Sequence, residues 1–151
     1  MDGHIRKSHN VSYLIYHLVC PAKYRRLVFV QINNVEKVIK ETCQEIEKRY
    51  EIHFLEIGAD RDHVHFLIQS VPIMNPSSIA KKVKSITARE VFHQVPEVKK
   101  LLWGGEFWTK GYYINTVGVS ANKEAIQDYV KKQGQKYQRI YSNQLTLFEG
   151  Y

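Results

Sequence analysis

A polar turn that runs directly into a strand of β-branched and aromatic residues constrains the fold most. The turn covers residues 60–62, and the strand reads His-Val-His-Phe-Leu-Ile over residues 63–68. Successive side chains of a strand point to opposite faces, so His63 and His65 share one face while the apolar residues between and after them share the other. We therefore expect a sheet with one packed face and one exposed face that presents two imidazoles.

Two neighbouring imidazoles suggest a metal site, because neutral imidazole is the commonest nitrogen ligand for divalent metals in proteins. Two ligands are too few for a firm site. The alternative is that one histidine is an ordinary surface residue of the strand and the other a hydrogen-bonded structural residue. An isolated His-x-His motif is more often of this second kind, so a metal site requires further ligands from elsewhere in the chain.

Length and composition favour a single domain over residues 1–151. The hydrophobic fraction of 44% and the charged fraction of 25% are ordinary for a globular chain of 151 residues. We expect a core over about residues 11–135 and a C-terminal tail over 136–151. The 22 Lys and Arg exceed the 15 Asp and Glu, which gives a net charge of +7 and favours a polyanionic partner such as nucleic acid or a membrane surface.

The chain has neither an apolar run of about 18 residues, which a membrane span needs, nor the apolar core of a signal peptide near its N-terminus. We therefore expect a cytoplasmic protein without a membrane partner. Cys20 and Cys43 each lie in an apolar segment. In that compartment they are expected to be buried thiols, not a disulfide or a zinc site.

Hydrophobic periodicity and turn signals divide the chain into seven elements in the order strand, helix, strand, strand, helix, strand, helix. The predicted ranges are 11–20, 34–50, 52–57, 63–68, 75–92, 107–117 and 120–134. Pro21 should end the first strand, Asn33 or Asn34 should cap the first helix, and Asn75 should cap the second. Residues 99–102 read as a turn, and the tail from 136 as an extra helical turn or a contact with a partner subunit.

This order is that of the ferredoxin-like plan, an α+β fold whose helices cover one face of an antiparallel sheet. The other face is then available for a ligand. We expect the histidines to lie on that available face, with a further helix at the C-terminus.

Two groups of basic residues are candidates for contacts with phosphates. Either group could equally be a solvated surface, and the sequence leaves both explanations open. The candidates are Lys23, Arg25 and Arg26 after the first strand, and Lys81, Lys82, Lys84 and Arg89 on the second helix. Aromatic residues over 107–117 could stack on unpaired bases, although core packing is the simpler explanation for most of them.

Tyr129 and Gln133 lie four residues apart on the last predicted helix, and therefore on the same side of it. Such pairs are common on helix surfaces, so the spacing alone does not assign a function. His17, His53 and His93 are interpreted as structural or surface residues.

Several segments together carry a family resemblance. They are His63-Val64-His65, Leu102-Trp103-Gly104-Gly105, the segment from Trp108 to Tyr113, Thr116-Val117-Gly118, Tyr129-Val130-Lys131-Lys132-Gln133, and the opening segment from Tyr16 to Arg26. On these residues the chain resembles the single-tyrosine HUH transposases, the TnpA enzymes of small insertion sequences that move as single-stranded DNA. The resemblance spans about residues 11–135.

The resemblance implies an enzyme that cleaves and rejoins single-stranded DNA at hairpin-bearing transposon ends. His63, His65 and Gln133 would hold a divalent metal, Mg²⁺ or Mn²⁺, and Tyr129 would be the nucleophile that forms a covalent 5′-phosphotyrosine. Similar enzymes are homodimers in which the tyrosine helix of one subunit can complete the site of the other.

Three alternatives remain beside the transposase. Two keep the chemistry: a domesticated single-tyrosine nuclease that acts on host repeat hairpins, and a nicking domain of the replication or relaxase type. The third is a non-catalytic, RRM-like module that binds nucleic acid and has no use for Tyr129. A two-histidine phosphoesterase is disfavoured, because it needs a second His-x-Thr/Ser or His-x-His motif that the sequence lacks.

Overall fold

The structure is a computed structural model that describes residues 3–102, 104–118 and 138–142. The strands are β1 (Ile5–Arg6), β2 (Val11–Ser12), β3 (Leu14–Pro21), β4 (Ile52–Ala59), β5 (His63–Ser70), β6 (Tyr113–Val117) and β7 (Gln138–Ser142). The helices are α1 (Val28–Gln31), α2 (Val35–Arg49), α3 (Pro76–Gln94) and α4 (Val98–Leu101), and a short 3₁₀ turn covers Lys23–Arg25.

Five of the strands form one sheet in the order β6-β3-β5-β4-β7, and each neighbouring pair is antiparallel. The strand that carries the histidines, β5, is therefore central, with β3 on one side and β4 on the other. The first four of these strands have the order of the ferredoxin-like plan. The predicted α+β class and antiparallel sheet are confirmed.

The main core lies between the sheet and the two long helices. The apolar side chains of β5 at 64, 66 and 68 are fully buried in it, as the alternation of the strand predicts. The apolar stripe of α2 is buried against the same face. Asn75 caps α3 as predicted, since its side chain accepts a hydrogen bond from the backbone N–H of Ser78 at 2.8 Å. Both cysteines are buried free thiols in this core.

The predicted first strand is divided in two. Residues Val11–Ser12 pair with β1 in a separate N-terminal hairpin, and the strand of the main sheet begins only at Leu14. It ends at Pro21, as predicted. Because apolar residues continue without a break from 11 to 20, hydrophobic periodicity gives no signal for this division.

The N-terminal hairpin also covers part of the histidine face. The Gln69 side chain at the far end of β5 donates a hydrogen bond from Nε2 to the Gly3 carbonyl at 2.6 Å. Beside it, Ile15, Leu55 and Leu67 form a second buried apolar cluster. Within the described residues, the part of this face near Gln69 and Leu67 is thus covered.

The predicted fourth strand over 107–117 was too long, since regular pairing covers only Tyr113–Val117. Before it, Phe107 and Trp108 are buried in the main core from a loop, and a single bridge joins Trp108 to Ala22. Aromatic residues favour strands because they pack well on a sheet, and they pack equally well from a loop. Propensity therefore could not locate the start of this strand.

Smaller differences occur at other boundaries. β4 continues to Ala59, α3 continues to Gln94, and the predicted turn at 99–102 is largely the short helix α4. In the tail, residues 138–142 form β7 against β4, so the first of the two predictions for the tail, an extra helical turn, is wrong for these residues. The last predicted helix, 120–134, lies outside the described residues. No helix in the described ranges is long and apolar enough to span a membrane.

One buried hydrogen bond links α3 to the 107–112 loop and gives a test of the fold. The indole Nε1 of Trp108 donates to Thr87 Oγ1 at 3.0 Å, and that hydroxyl donates to the Val83 carbonyl at 2.6 Å. The substitution Thr87→Val leaves the buried indole N–H without its acceptor. We expect a loss of about 1–3 kcal/mol in the free energy of unfolding, measured by urea denaturation.

Thr42 provides the matched control for this substitution. It is buried on α2 and makes the same hydroxyl bond, to the Val38 carbonyl at 2.7 Å, but within the described ranges no side chain donates to it. Thr42→Val should therefore cost clearly less than Thr87→Val. Equal losses would mean that the bond to Trp108 contributes nothing specific.

Candidate functional site

The candidate site lies where β5 begins, beside the turn over 60–62. His63 pairs with Pro21 of β3, while His65 lies between Val19 of β3 and Gly58 of β4. His63 is half-buried, whereas His65 is only 1% exposed. The expectation that both imidazoles lie on an exposed face is therefore wrong for His65, whose ring is packed between those of His17 and His63.

The two imidazoles converge as the strand alternation predicts. His63 Nε2 and His65 Nε2 are 3.1 Å apart, and the two rings are inclined at 69°. Two ligands in adjacent octahedral positions, each at about 2.1 Å from a metal, lie about 3.0 Å from one another. The spacing of these nitrogens is therefore suitable for two ligands of one divalent cation.

The outer nitrogen of His63 is held by a carboxylate. His63 Nδ1 lies 2.7 Å from Asp62 Oδ1, and Arg25 Nε donates to Asp62 Oδ2 at 2.9 Å. A carboxylate behind a histidine fixes the ring orientation and directs the free lone pair of the other nitrogen outward. Arg25, a predicted contact for the DNA backbone, thus forms an ion pair next to the histidines.

A third histidine belongs to this cluster. His17 Nε2 lies 2.9 Å from His65 Nδ1, and the two buried rings are nearly parallel, with centroids 5.1 Å apart. From the sequence, His17 is expected to be a structural or surface residue. One signal was available, because the ferredoxin-like plan places the first strand beside the third. The register that brings His17 next to His65 could not be derived from the sequence.

Asp60 is a further acidic residue beside the histidines that no sequence motif indicates. It is 6% exposed, and its Oδ2 lies 3.8 Å from His63 Nε2, while its Oδ1 accepts the backbone N–H of Arg61 at 2.7 Å. Within the described ranges, no three His, Cys, Asp or Glu side chains are close enough together to hold a metal by themselves. The two imidazoles therefore need at least one additional ligand or a movement of Asp60.

Burial keeps the inner imidazoles neutral. Desolvation lowers the pKa of His65 to about 3, and the neighbouring His17 and His63 lower it further while Asp60 opposes the shift. Desolvation likewise lowers the pKa of His17 to about 4, against a hydrogen bond with Asn115 that raises it. A neutral imidazole has a free lone pair on one nitrogen, which is the form that binds metals.

The predicted basic residues do not converge on the histidines as one group. Lys81, Lys82, Lys84 and Arg89 lie on α3, which covers the opposite face of the sheet. The Lys84 ammonium donates to the Thr109 and Lys110 carbonyls, both at 2.8 Å. Lys84 therefore holds this loop against α3, and its contact with a phosphate stays a prediction.

The remaining basic candidates differ in their partners. Lys82 Nζ lies 4.7 Å from the centroid of the Tyr50 ring, and Lys81 and Arg89 are exposed on the same helix. Near the histidines, Lys23 forms an ion pair with Glu106 at 2.8 Å, and Arg26 is exposed. Tyr129 and Gln133 lie outside the described residues.

Comparisons with known proteins assign the chain to a family. The family model described as "Transposase IS200 like" matches residues 10–133. The chain is 32% identical to the ISDra2 transposase TnpA of Deinococcus radiodurans over 126 residues, which are 83% of this chain and 88% of that protein. It is 32% identical to the transposase for insertion sequence element IS200 of Salmonella typhimurium over 120 residues, 78% of this chain and 75% of that protein.

A solved structure agrees with these relatives. The crystal structure of a transposase from Deinococcus radiodurans R1 superposes with a TM-score of 0.68 at 27% identity, over 86% of this chain and 98% of that one. The family match includes the histidine strand, the first strand with His17 and the predicted tyrosine helix. The resemblance to transposases of small insertion sequences is confirmed, and the chain belongs to the IS200-like transposase family.

Proposed function

We propose that this transposase cleaves and rejoins single-stranded DNA at hairpin-bearing transposon ends, with Tyr129 as nucleophile and a divalent metal held by His63, His65 and Gln133. The observation that carries the proposal is the 3.1 Å convergence of His63 Nε2 and His65 Nε2, with Asp62 and His17 behind the two rings. Sheet packing alone gives no reason for two imidazoles to face one another in this way.

The donor set fits a hard or borderline divalent cation. Two neutral imidazoles and the amide oxygen of Gln133 would provide three ligands, and Asp60 is close enough to add a carboxylate oxygen after a small movement. Oxygen ligands favour Mg²⁺ and Mn²⁺ over zinc, and imidazoles favour Mn²⁺ over Mg²⁺. When bound, such a metal neutralises charge on the oxygens of the scissile phosphate and so stabilises the transition state.

Tyr129 would perform the bond-breaking step. Its oxygen attacks the phosphorus, the bond from phosphorus to the 3′ oxygen breaks, and the 3′ oxygen leaves and takes up a proton. Tyr129 is then joined to the 5′ phosphate. A tyrosine has a pKa near 10, so formation of the phenolate at neutral pH costs about 4 kcal/mol, which the charged environment of the site must offset.

Rejoining follows from the same linkage. The phosphotyrosine bond conserves the energy of the phosphodiester, so a different 3′ hydroxyl can attack it, release Tyr129 and join new strands without ATP. The exposed basic residues are candidates for contacts with the DNA backbone, among them Arg26, Lys81 and Arg89. We also propose a homodimer in which the tyrosine helix of either subunit can complete a site.

The proposal is tested with single-stranded DNA from the ends of the element that encodes the protein. Labelled DNA is incubated with the purified chain in Mg²⁺, Mn²⁺ or EDTA and separated on a denaturing gel. The expected result is a protein–DNA adduct that needs the metal and the single-stranded hairpin substrate, and that does not form on the matching duplex. Hairpin binding without an adduct in any metal would instead support the non-catalytic binding module.

The carboxylate behind His63 gives a second test of the metal site. Asp62→Ala removes the acceptor of His63 Nδ1, so we expect a 10- to 100-fold loss of Mn²⁺ affinity, roughly the usual effect of removing an outer partner of a ligand. Asp62→Asn keeps an oxygen acceptor and should lose less. The measurement is a Mn²⁺ titration followed by electron paramagnetic resonance.

Glu106→Gln is the control for Asp62, because the Glu106 carboxylate pairs with Lys23, whereas the Asp62 carboxylate pairs with His63 itself. Its Mn²⁺ affinity should equal that of the wild type. Unchanged Mn²⁺ affinity in the folded Asp62→Ala protein would contradict the assignment of His63 as a ligand oriented by Asp62.

A further inference from the structure

We propose that His17 is a positioning residue for the metal site. His17 accepts a hydrogen bond from His65 Nδ1 and thereby directs the lone pair of His65 Nε2 at the metal. This inference rests on the proposed function, because it assigns a role toward the metal that His63 and His65 would hold. It gives His17 a function that the histidine motif itself does not include.

The geometry of His65 leaves one arrangement of protons that suits a metal. Its Nε2 is the atom that converges with His63 Nε2 at 3.1 Å, so Nε2 must carry the free lone pair. A neutral imidazole has one N–H, which must then be on Nδ1. The partner of Nδ1 is His17 Nε2 at 2.9 Å, so His17 has to accept there.

The surroundings of His17 favour that acceptor role. Asn115 lies directly opposite His17 on β6 and its side chain hydrogen-bonds to it. The amide nitrogen of Asn115 donates to the Thr116 carbonyl at 2.9 Å, and its amide oxygen can accept from a ring N–H of His17. A single proton of His17 that is donated to Asn115 would leave the lone pair of His17 Nε2 for His65.

Each of the two ligand rings is thus held at its Nδ1 by one hydrogen-bond partner. Asp62, paired with Arg25, holds the outer nitrogen of His63, and His17, bonded to Asn115, holds the outer nitrogen of His65. The carboxylate lies in the turn near solvent, whereas His17 is 0% exposed in the centre of the sheet. A neutral acceptor avoids burying a second charge there, which would be costly.

The first test needs no substitution. In the wild-type chain saturated with diamagnetic Mg²⁺, long-range ¹H–¹⁵N spectra of the imidazoles report which nitrogen of each ring carries the proton. We expect the proton of His65 on Nδ1. A proton on Nε2 would mean that His65 accepts from His17, and would overturn the inference.

The second test measures Mn²⁺ affinity by electron paramagnetic resonance for full-length variants whose folding is checked by circular dichroism. His17→Leu removes the acceptor and should weaken Mn²⁺ binding 10- to 100-fold, roughly as for other outer partners of metal ligands. His17→Gln provides an amide oxygen in its place and should recover most of the loss. His53→Leu is the control, since His53 pairs with Glu51 outside the cluster, and it should bind Mn²⁺ as the wild type does.

The outcomes separate this inference from the proposed function. If the wild type binds Mn²⁺ and folded His17→Leu binds it equally well, His17 contributes only to packing and the positioning role is overturned. The metal site itself would stand. If the wild type binds no Mn²⁺, both the metal site and the positioning role are overturned.

Discussion

Tyr129→Phe should form no covalent adduct with single-stranded DNA while it binds Mn²⁺ and hairpin DNA as the wild type does. The substitution removes only the phenolic oxygen, which is the atom that would attack phosphorus. It removes no proposed metal ligand and leaves an aromatic ring of almost the same size. The measurement is denaturing electrophoresis of the reaction, beside a gel-shift assay of the same protein.

Tyr141→Phe is the matched control, because Tyr141 is a half-buried tyrosine of β7, on the strand that follows the predicted tyrosine helix. It should form the adduct at the wild-type level. If the adduct persisted in Tyr129→Phe and disappeared in Tyr141→Phe, the nucleophile would be Tyr141 and the assignment of Tyr129 would be wrong.

Loss of either ligand histidine should lower adduct formation about 1,000-fold, since several kcal/mol of stabilisation of the transition state would disappear with the metal. His63→Ala and His65→Gln should both lose Mn²⁺ binding, whereas hairpin binding should remain. EDTA should reduce wild-type activity by the same factor, and added Mn²⁺ should restore the wild type but not the variants. A gel time course gives the rates.

His93→Ala is the control for this series, because His93 is exposed on α3, on the opposite side of the sheet from the metal site. Its rate should equal that of the wild type. Adduct formation at the wild-type rate in EDTA, or in folded His63→Ala, would show that the reaction does not depend on this metal site.

Local rules were sufficient for the elements that place His63 and His65. Strand alternation predicted that the two imidazoles share a face, and the order of elements predicted a ferredoxin-like sheet, which the structure confirms. Periodicity also gave α2 and α3 nearly to their ends. These features depend on neighbours in sequence, which is why a single chain reveals them.

Other features depend on contacts between distant residues. The approach of His17 to His65 is set by the register of β3 against β5, and the pairing of 138–142 with β4 joins residues about 80 positions apart in the chain. The burial of Trp108 from a loop depends on its hydrogen bond to Thr87 across the core. No local pattern specifies such contacts. The sequence therefore predicts a structural or surface role for His17, and an extra helical turn or a contact with a partner subunit for the tail.

The most direct test of the account is to locate the covalent bond itself. The wild-type adduct formed in Mn²⁺ is digested with protease and nuclease, and the nucleotide-bearing peptide is sequenced by mass spectrometry. The account predicts a 5′-phosphonucleotide on Tyr129, with a free 3′ hydroxyl on the released DNA fragment. Attachment to another residue, or a 3′-linked phosphate, would contradict it.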